Sequence, residues 1–282
     1  MIDLHRFSGD RPGPRLLFLG GVHGEERPGS IALDALVAAL DAGKLKLLKG
    51  ELHIAPRVNG PACAKNLHFL EENLNRIVRH HAEPKTNEQR IANQLIALLD
   101  DVDAVLDLHG TPAPTIPFAF LDDESAAHRA WADALGAPFL LAGWPALYAG
   151  AGTVTTTEYA QSQGKCALTV EVGQNEDLAA ADLGHAFARN TLAHFGLIAM
   201  QPRVEKPRLL RLSCVIRRER EGVFMRDWKN FDAVKKGEAL ARYTDGVMVA
   251  APRDGFVVMP YVGAGLGEEW LYLAVSSACS QL

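Results

Sequence analysis

Short apolar runs alternate with helical patterns through the first half of the chain, and this alternation constrains the fold more than any other sequence feature. The runs at residues 16–19, 52–56 and 104–108 have the length and composition of buried strands. Between them, apolar residues recur at helical spacing over residues 31–40 and 91–99. This order predicts an α/β fold with a mixed, partly parallel sheet flanked by helices.

Polar side chains stand where predicted strands end. His23 and Glu26 follow the first strand across a glycine pair, and His109 ends the strand at 104–108. Glu171 ends a further strand predicted over residues 166–170. Because open α/β sheets bind ligands at the carboxyl ends of their strands, these four side chains are expected to share one edge.

His23, Glu26 and His109 form a two-histidine, one-carboxylate set that suits Zn²⁺ and leaves a fourth position for water. An open position is typical of catalytic zinc, which lowers the pKa of water toward about 7. Glu171 is then predicted to be the general base. Each motif alone is common in proteins, so the prediction depends on their coincidence. Glu25 is the neighbouring alternative, but the spacing from His23 favours Glu26.

Composition excludes several classes of function. The 282 residues carry a net charge of −5 with both signs interspersed, which argues against a nucleic-acid partner. No run approaches the roughly 18 uncharged apolar residues of a membrane span. The four cysteines show no CxxC spacing, and the first residues lack the features of a signal peptide. The sequence therefore predicts a reduced, cytoplasmic protein.

The sequence pattern changes near residue 203 to short β-like runs between turn signals. We therefore predict one α/β domain over residues 1–200 and a small all-β domain over residues 201–282 that caps the cleft. The second region resembles the barrels that carry lipoyl or biotin, but Asp254 and Gly255 stand where the carrier lysine would be. Residues 138–148 and the segment after Asn59 are expected to be irregular.

The motifs resemble the succinylglutamate desuccinylase and aspartoacylase family of the zinc carboxypeptidase superfamily. Segments 20–26, 107–109 and 170–173 look like its first metal motif, second metal motif and catalytic glutamate strand. Asn75 and Arg76 are similar to its substrate-binding Asn-Arg pair. The resemblance implies a carboxypeptidase-like α/β domain with one zinc ion, in which this pair holds a substrate carboxylate. It also implies hydrolysis of an amide that releases an amino acid or a similar small amine.

Two departures from the family pattern concern the substrate. The family's carbonyl-polarising arginine is missing, so Lys65, His68 or Arg57 is expected to fill that role. The arginine that contacts a side-chain carboxylate in aspartoacylase falls on Gln161, which favours a polar or uncharged acyl-amino acid over N-acetylaspartate. The threonine-rich segment 150–159 is expected to line the pocket, with Tyr159 as a candidate substrate contact.

Three functions remain open at this stage. The leading one is a zinc amidohydrolase that acts on an N-acyl amino acid or related small amide. A metallocarboxypeptidase that trims a peptide or peptidoglycan fragment would use the same zinc, base and arginine. A non-catalytic metal-binding module is the alternative from another class. A homodimer is a reasonable default for the assembly.

Overall fold

A computed structural model of the chain describes residues 1–201 and 206–276. The predicted boundary near residue 203 and Cys279 lie outside this part. The predicted α/β fold is confirmed: a large mixed sheet carries helices on both of its faces. Among the described helices, none has the length and apolar character needed to cross a membrane.

The strands fall into an eleven-stranded main sheet and a separate three-stranded sheet. Their bounds in chain order are β1 His5–Ser8, β2 Arg15–Gly20, β3 Glu51–Ala55, β4 Ala104–Thr111, β5 Phe118–Phe120, β6 Phe139–Ala142, β7 Cys166–Gln174, β8 Arg208–Arg217, β9 Gly222–Phe224, β10 Ala233–Val234, β11 Ala239–Tyr243, β12 Met248–Ala250, β13 Gly255–Val258 and β14 Glu269–Ser276. The main sheet has the order β1-β3-β2-β4-β7-β5-β6-β8-β14-β13-β10, and the small sheet has the order β12-β11-β9.

The helices begin where the sequence supplies start signals. Pro28 occupies the first turn of the first helix, and the side chains of Asn59 and Thr86 cap the second and third by accepting backbone N–H groups. The bounds are α1 Arg27–Asp41, α2 Gly60–Lys65, α3 Asn87–Asp100, α4 Ala126–Leu135, α5 Trp144–Leu147, α6 Thr156–Ser162 and α7 Ala179–His194, with a 3-10 turn at Leu74–Arg76. The segment after Asn59 therefore begins with a helix that was not predicted, whereas residues 66–73 are irregular as expected.

Strands β3, β2, β4 and β7 run parallel in the middle of the sheet. Side chains of β2 alternate between two cores: Leu16 and Phe18 pack in one apolar cluster, and Leu17 and Leu19 in the other. These central strands are buried on both faces, which explains their continuous apolar sequence. The carboxyl ends of the four strands consequently lie along one edge.

The second half of the chain continues the same sheet. Strand β6 pairs in parallel with β8, and β8 pairs antiparallel with β14. Strands β8, β14, β13 and β10 therefore extend the main sheet. Residues 138–148 are not irregular as predicted, because they supply β6 and α5. One apolar cluster joins Phe118 and Leu141 to Leu210 and Tyr272. The division into two domains at residue 200 stays a prediction. The shared cluster shows that the two regions pack against each other.

Candidate metal centre and active site

The loop between β2 and α1 carries two of the predicted ligands. Gly21 has a φ of +60°, a conformation that glycine adopts without a steric penalty. A Cβ atom on Gly24 would lie 2.2 Å from the carbonyl carbon of Ala62, so only glycine lets this loop approach α2 so closely. The loop delivers His23 and Glu26 to the sheet edge, and both side chains are buried there.

The register of the parallel sheet brings the other two predicted residues together. His109 on β4 and Glu171 on β7 are directly paired positions in neighbouring strands. Both side chains are buried, and both line the same cavity as His23 and Glu26. Four residues from three distant segments of the sequence therefore line one cavity.

Three of these side chains converge closely enough to hold one ion. His23 Nδ1 lies 2.9 Å from Glu26 Oε1, and His109 Nδ1 lies 2.9 Å from Glu26 Oε2. One ligand atom from each of the three residues lies within 4.8 Å of the others. Glu25 instead faces His68, with Oε1 3.1 Å from Nδ1 of that ring.

Charges around the three ligands favour a cation. Burial lowers the pKa of His23, which keeps the ring in the neutral form that binds metals. Burial would raise the pKa of Glu26, but His23 and His109 lower it below its usual range. Burial opposes protonation of His109, yet Asp107 and Glu26 raise its pKa well above the ordinary value. Positive charge is thus stabilised between these carboxylates.

The donor set fits zinc. Two imidazole nitrogens and a carboxylate oxygen are ligands that zinc commonly takes in catalytic sites. Two carboxylate oxygens beside them, Asp107 Oδ1 and Glu171 Oε2, are buried without a hydrogen-bond partner. A divalent cation would offset the negative charge of these groups, so the residues present suit such an ion.

Glu171 lies in a setting that suits a proton acceptor. Burial and then the negative charge of Glu26 raise the pKa of Glu171 to about 8. Two glutamates of one site thus have pKa values displaced in opposite directions, a pattern typical of acid-base catalysis. A cation held by the three ligands would favour the ionised form of Glu171.

The predicted substrate pair lies on the 3-10 turn, close to the predicted metal ligands. Asn75 is buried, and its Oδ1 accepts the Thr156 backbone N–H at 2.9 Å. The Arg76 guanidinium lies 5.2 Å from the ring centroid of Trp144, and its Nη1 donates to the Asn75 carbonyl at 2.8 Å. Both residues line the cavity, so Arg76 presents a planar donor to any carboxylate bound there.

The cavity has a volume of about 550 Å³, which is the size of a small-molecule site. One side is formed by residues from β14 and the segments before it, and we call this side the C-terminal wall: Tyr261, Glu268, Glu269 and Tyr272. Asp122 adds a further carboxylate to the lining. The cavity lining therefore includes acidic groups in addition to Glu26 and Glu171.

Of the three candidates for the missing arginine, His68 alone lines the cavity. Its ring stacks on His23 with a centroid separation of 3.9 Å. Arg57 pairs with Asp34 outside the cavity, and Lys65 ends α2. Arg57 and Lys65 are thus absent from the cavity lining, and only the position of His68 agrees with the expectation.

Two substrate-contact predictions were wrong. The Tyr159 hydroxyl donates to Asp100 at 3.0 Å on the outer side of α6, and Gln161 donates to the Ala167 carbonyl at 3.0 Å. Neither residue lines the cavity, whereas Thr155 and Thr157 of the predicted threonine-rich segment do. Helix α6 turns its N-terminal end toward the site and its later residues away, which residue spacing alone did not reveal.

Sequence reasoning did not assign a role to Asn73, Asp107, Asp122 or Thr156. Asn73 Oδ1 lies 3.0 Å from His23 Nε2, and Asp107 Oδ2 lies 3.0 Å from His109 Nε2. Asp107 belongs to the recognised segment 107–109, and Asn73 lies two residues before the Asn75–Arg76 pair, so the motifs themselves were an available signal. Asp122 lies in a segment without a motif, so no sequence signal pointed to it.

Comparison with known proteins agrees with the resemblance. Residues 12–194 match the family described as the succinylglutamate desuccinylase/aspartoacylase catalytic domain. An N-alpha-acetyl-L-2,4-diaminobutyric acid deacetylase from Halomonas elongata is 32% identical over 254 residues, covering 83% of this chain and 71% of that protein.

Solved structures with similar folds cover nearly the whole chain. The product-bound structure of the ectoine utilization protein EutE (DoeB) from Ruegeria pomeroyi has a TM-score of 0.81 and 26% identity, over 98% of this chain and 89% of that one. A succinylglutamate desuccinylase/aspartoacylase from Rhodobacter sphaeroides has a TM-score of 0.82 and 21% identity, with the same coverage. The second likeness bears on the fold alone.

Proposed function

The chain belongs to the succinylglutamate desuccinylase/aspartoacylase family, and from this premise we propose that it is a zinc-dependent hydrolase of N-acyl amino acids. The observation that carries the proposal is the convergence of His23, Glu26 and His109, whose ligand atoms lie within 4.8 Å of one another. Glu171 stands beside them as the proposed base, and Asn75 and Arg76 stand beside them as the proposed substrate contacts.

In the proposed reaction, water adds to the acyl carbon and the amide C–N bond breaks. A bound zinc ion would supply acidification of water and polarisation of a carbonyl group. Glu171 takes the proton from water and passes it to the leaving nitrogen, which yields a carboxylic acid and a free amine. Arg76 pairs with the substrate carboxylate and fixes the amide relative to Glu171.

The charges of the cavity favour an amine over a second carboxylate on the substrate side chain. Asp122 and Glu268 line the same cavity as the predicted metal ligands and would repel an acidic side chain. The relative from Halomonas elongata is named for a substrate with a second amino group. We therefore propose N-acyl diamino acids as the preferred substrates, ahead of N-acetylaspartate or N-succinylglutamate.

The metallocarboxypeptidase alternative is less well supported. A cavity of about 550 Å³, bounded on one side by the C-terminal wall, suits a small molecule better than an extended peptide. A cytoplasmic location and a homodimer stay predictions.

The proposal is tested by metal analysis of the purified protein together with a hydrolysis screen. We expect one zinc ion per chain, lost in His109→Ala and retained in His80→Ala, a control at an exposed histidine. Release of amino acids should be fastest from N-acetyl-diaminobutyrate and slow from N-acetylaspartate. Metal-free wild-type protein that is fully active, or turnover of peptides alone, would contradict the proposal.

A further inference from the structure

The side-chain amide of Asn73 lies between the metal site and the substrate-binding turn. Its Oδ1 is 3.0 Å from His23 Nε2 and also accepts the backbone N–H of Asn75 at 3.0 Å. Its Nδ2 is 3.4 Å from His68 Nε2. One amide group therefore contacts two imidazoles and the backbone of the turn.

The backbone contact fixes the orientation of this amide. Amide oxygen and nitrogen are assigned from hydrogen bonds, because the two atoms look alike in most structures. The Asn75 N–H is always a donor, so the atom of Asn73 that faces it must be the oxygen. The reverse orientation would place two donors against each other at 3.0 Å and leave both without an acceptor.

This orientation determines which nitrogen of His23 carries the proton. An amide oxygen only accepts, so Nε2 of His23 must donate to it. In the neutral ring the other nitrogen, Nδ1, is then unprotonated, and Nδ1 is the atom that faces Glu26. The nitrogen left free is the one that points at the proposed metal position.

The same amide orders the neighbouring His68. Asn73 Nδ2 donates toward His68 Nε2, so Nε2 accepts and Nδ1–H donates to Glu25 at 3.1 Å. In this neutral form His68 has no ring N–H free for a substrate carbonyl. Its stacking on His23 therefore supports the metal ligand, not the oxyanion.

Asn75 connects this arrangement to the second imidazole. Its Oδ1 accepts the Thr156 N–H, and the Thr156 hydroxyl donates to Asp107 Oδ2. That oxygen lies 3.0 Å from His109 Nε2. In both His23 and His109, Nε2 faces away from Glu26 and lies beside a side-chain oxygen, Asn73 Oδ1 or Asp107 Oδ2. Hydrogen bonds through the turn that carries the proposed substrate residues connect these two oxygens. Such outer contacts orient metal-binding histidines in proteins.

We propose that Asn73 is a positioning residue: its amide, oriented by the Asn75 N–H, holds His23 in the Nε2–H tautomer and so presents Nδ1 to the metal. This inference rests on the proposed metal site. It also ties the metal site to the substrate turn, because one oxygen atom of Asn73 serves both.

The test measures tautomer and metal affinity, not activity. Nitrogen NMR of the metal-free wild type at neutral pH should show His23 protonated at Nε2, with its signals assigned by their loss in His23→Gln. Asn73→Leu removes the acceptor and should weaken zinc binding by about 10- to 100-fold in a chelator competition assay. Asn73→Asp keeps an acceptor for both donors and should bind zinc close to the wild-type level.

Asn93→Leu is the matched control. Asn93 also makes two side-chain hydrogen bonds, both to the backbone of His81, but neither involves a proposed ligand. Equal weakening in Asn93→Leu and Asn73→Leu would mean that a loosened loop causes the loss, and would overturn the inference. So would an Nδ1–H tautomer in the wild type, a measurement that needs no variant to fold. Wild-type protein that binds no zinc would instead overturn the proposed function.

Discussion

Two buried glutamates within one site differ in the charges that surround them. Glu26 lies between His23 and His109, which lower its pKa, whereas burial and the neighbouring Glu26 raise the pKa of Glu171 to about 8. A carboxylate that stays ionised suits a metal ligand, and one that can exchange a proton suits a base. The local environment of each side chain, more than its residue type, supports these two proposed roles.

Replacing Glu171 by Gln should lower the turnover number by about 10²–10⁴-fold, because the amide keeps the shape of the side chain but cannot accept the proton. Zinc content and melting temperature should be unchanged or higher, since the change removes a buried group whose negative charge is disfavoured by burial and by Glu26. Steady-state kinetics, metal analysis and thermal unfolding measure the three effects. Glu83→Gln, at an exposed position, is the matched control. Equal turnover in the Glu171 variant would remove this residue from the mechanism.

At the scale of elements, the site depends on the close approach of α1 to β4. Gly29 in the first turn of α1 packs against the backbone of Leu108, directly before His109. Helix α1 starts just after Glu26, so the contact sets the separation of two proposed ligands. A side chain at position 29 would force the helix and strand apart.

Gly29→Ala should destabilise the protein by roughly 1–3 kcal/mol, because the added Cβ would lie 2.6 Å from the Leu108 carbonyl oxygen. The usual gain of about 1 kcal/mol from alanine in a helix does not offset this overlap. Urea unfolding measures the change, and zinc affinity should fall with it. Gly60→Ala, where the new Cβ meets nothing within 4 Å, should be neutral. Similar stabilities for the two variants would contradict the role of this contact.

Asp122 joins β5 to the start of α5. Its Oδ1 accepts the backbone N–H groups of Gly143 and Trp144 at 3.0 Å each. Burial raises the pKa of Asp122 from 3.8 to about 6, although the two backbone hydrogen bonds oppose this increase. A raised pKa in the folded protein means that the folded state binds the proton more tightly than the unfolded chain does.

The stability that this group contributes is therefore present at low pH and lost as the pH rises through about 6. Asp122→Asn should remove this pH dependence of the free energy of unfolding. Relative to the wild type, the free energy of unfolding of the variant should therefore rise by roughly 2–3 kcal/mol between about pH 4 and pH 7. Urea titrations across this range measure the difference. A stability difference that does not change with pH would show that Asp122 titrates normally.

At the scale of the whole molecule, one sheet runs from the proposed metal site to the C-terminal strands. The β6–β8 pairing joins residues 206–276 to the central strands, and Phe118, Leu141 and Tyr272 share a core across it. The C-terminal wall of the cavity therefore depends on the same sheet that carries the proposed ligands.

A fragment of residues 1–200 should unfold at a lower urea concentration than the whole chain, because it exposes the edge of β6 and the apolar side chains of the shared cluster. It should also bind a hydrophobic dye that the whole chain does not bind. Urea midpoints and dye fluorescence measure these effects. A fragment as stable as the whole chain would instead support an independent domain that ends near residue 200.

The sequence by itself determined the elements with strong local signals. Continuous apolar runs identified β2, β3, β4 and the first part of β7, and helical periodicity identified α1 and α3. Because parallel strands end at a common edge, the motif positions also predicted that His23, Glu26, His109 and Glu171 would meet.

Only the tertiary structure decided what depends on long-range pairing. Strand β6 has four residues, too few to show a period, and its identity comes from its partners β5 and β8. The direction of the Tyr159 side chain, which points to Asp100 and away from the cavity, and the contact between Asn73 and His23 depend on partners distant in sequence. Local sequence sets backbone preference, whereas the direction of a side chain is fixed by the atoms that pack and hydrogen-bond against it.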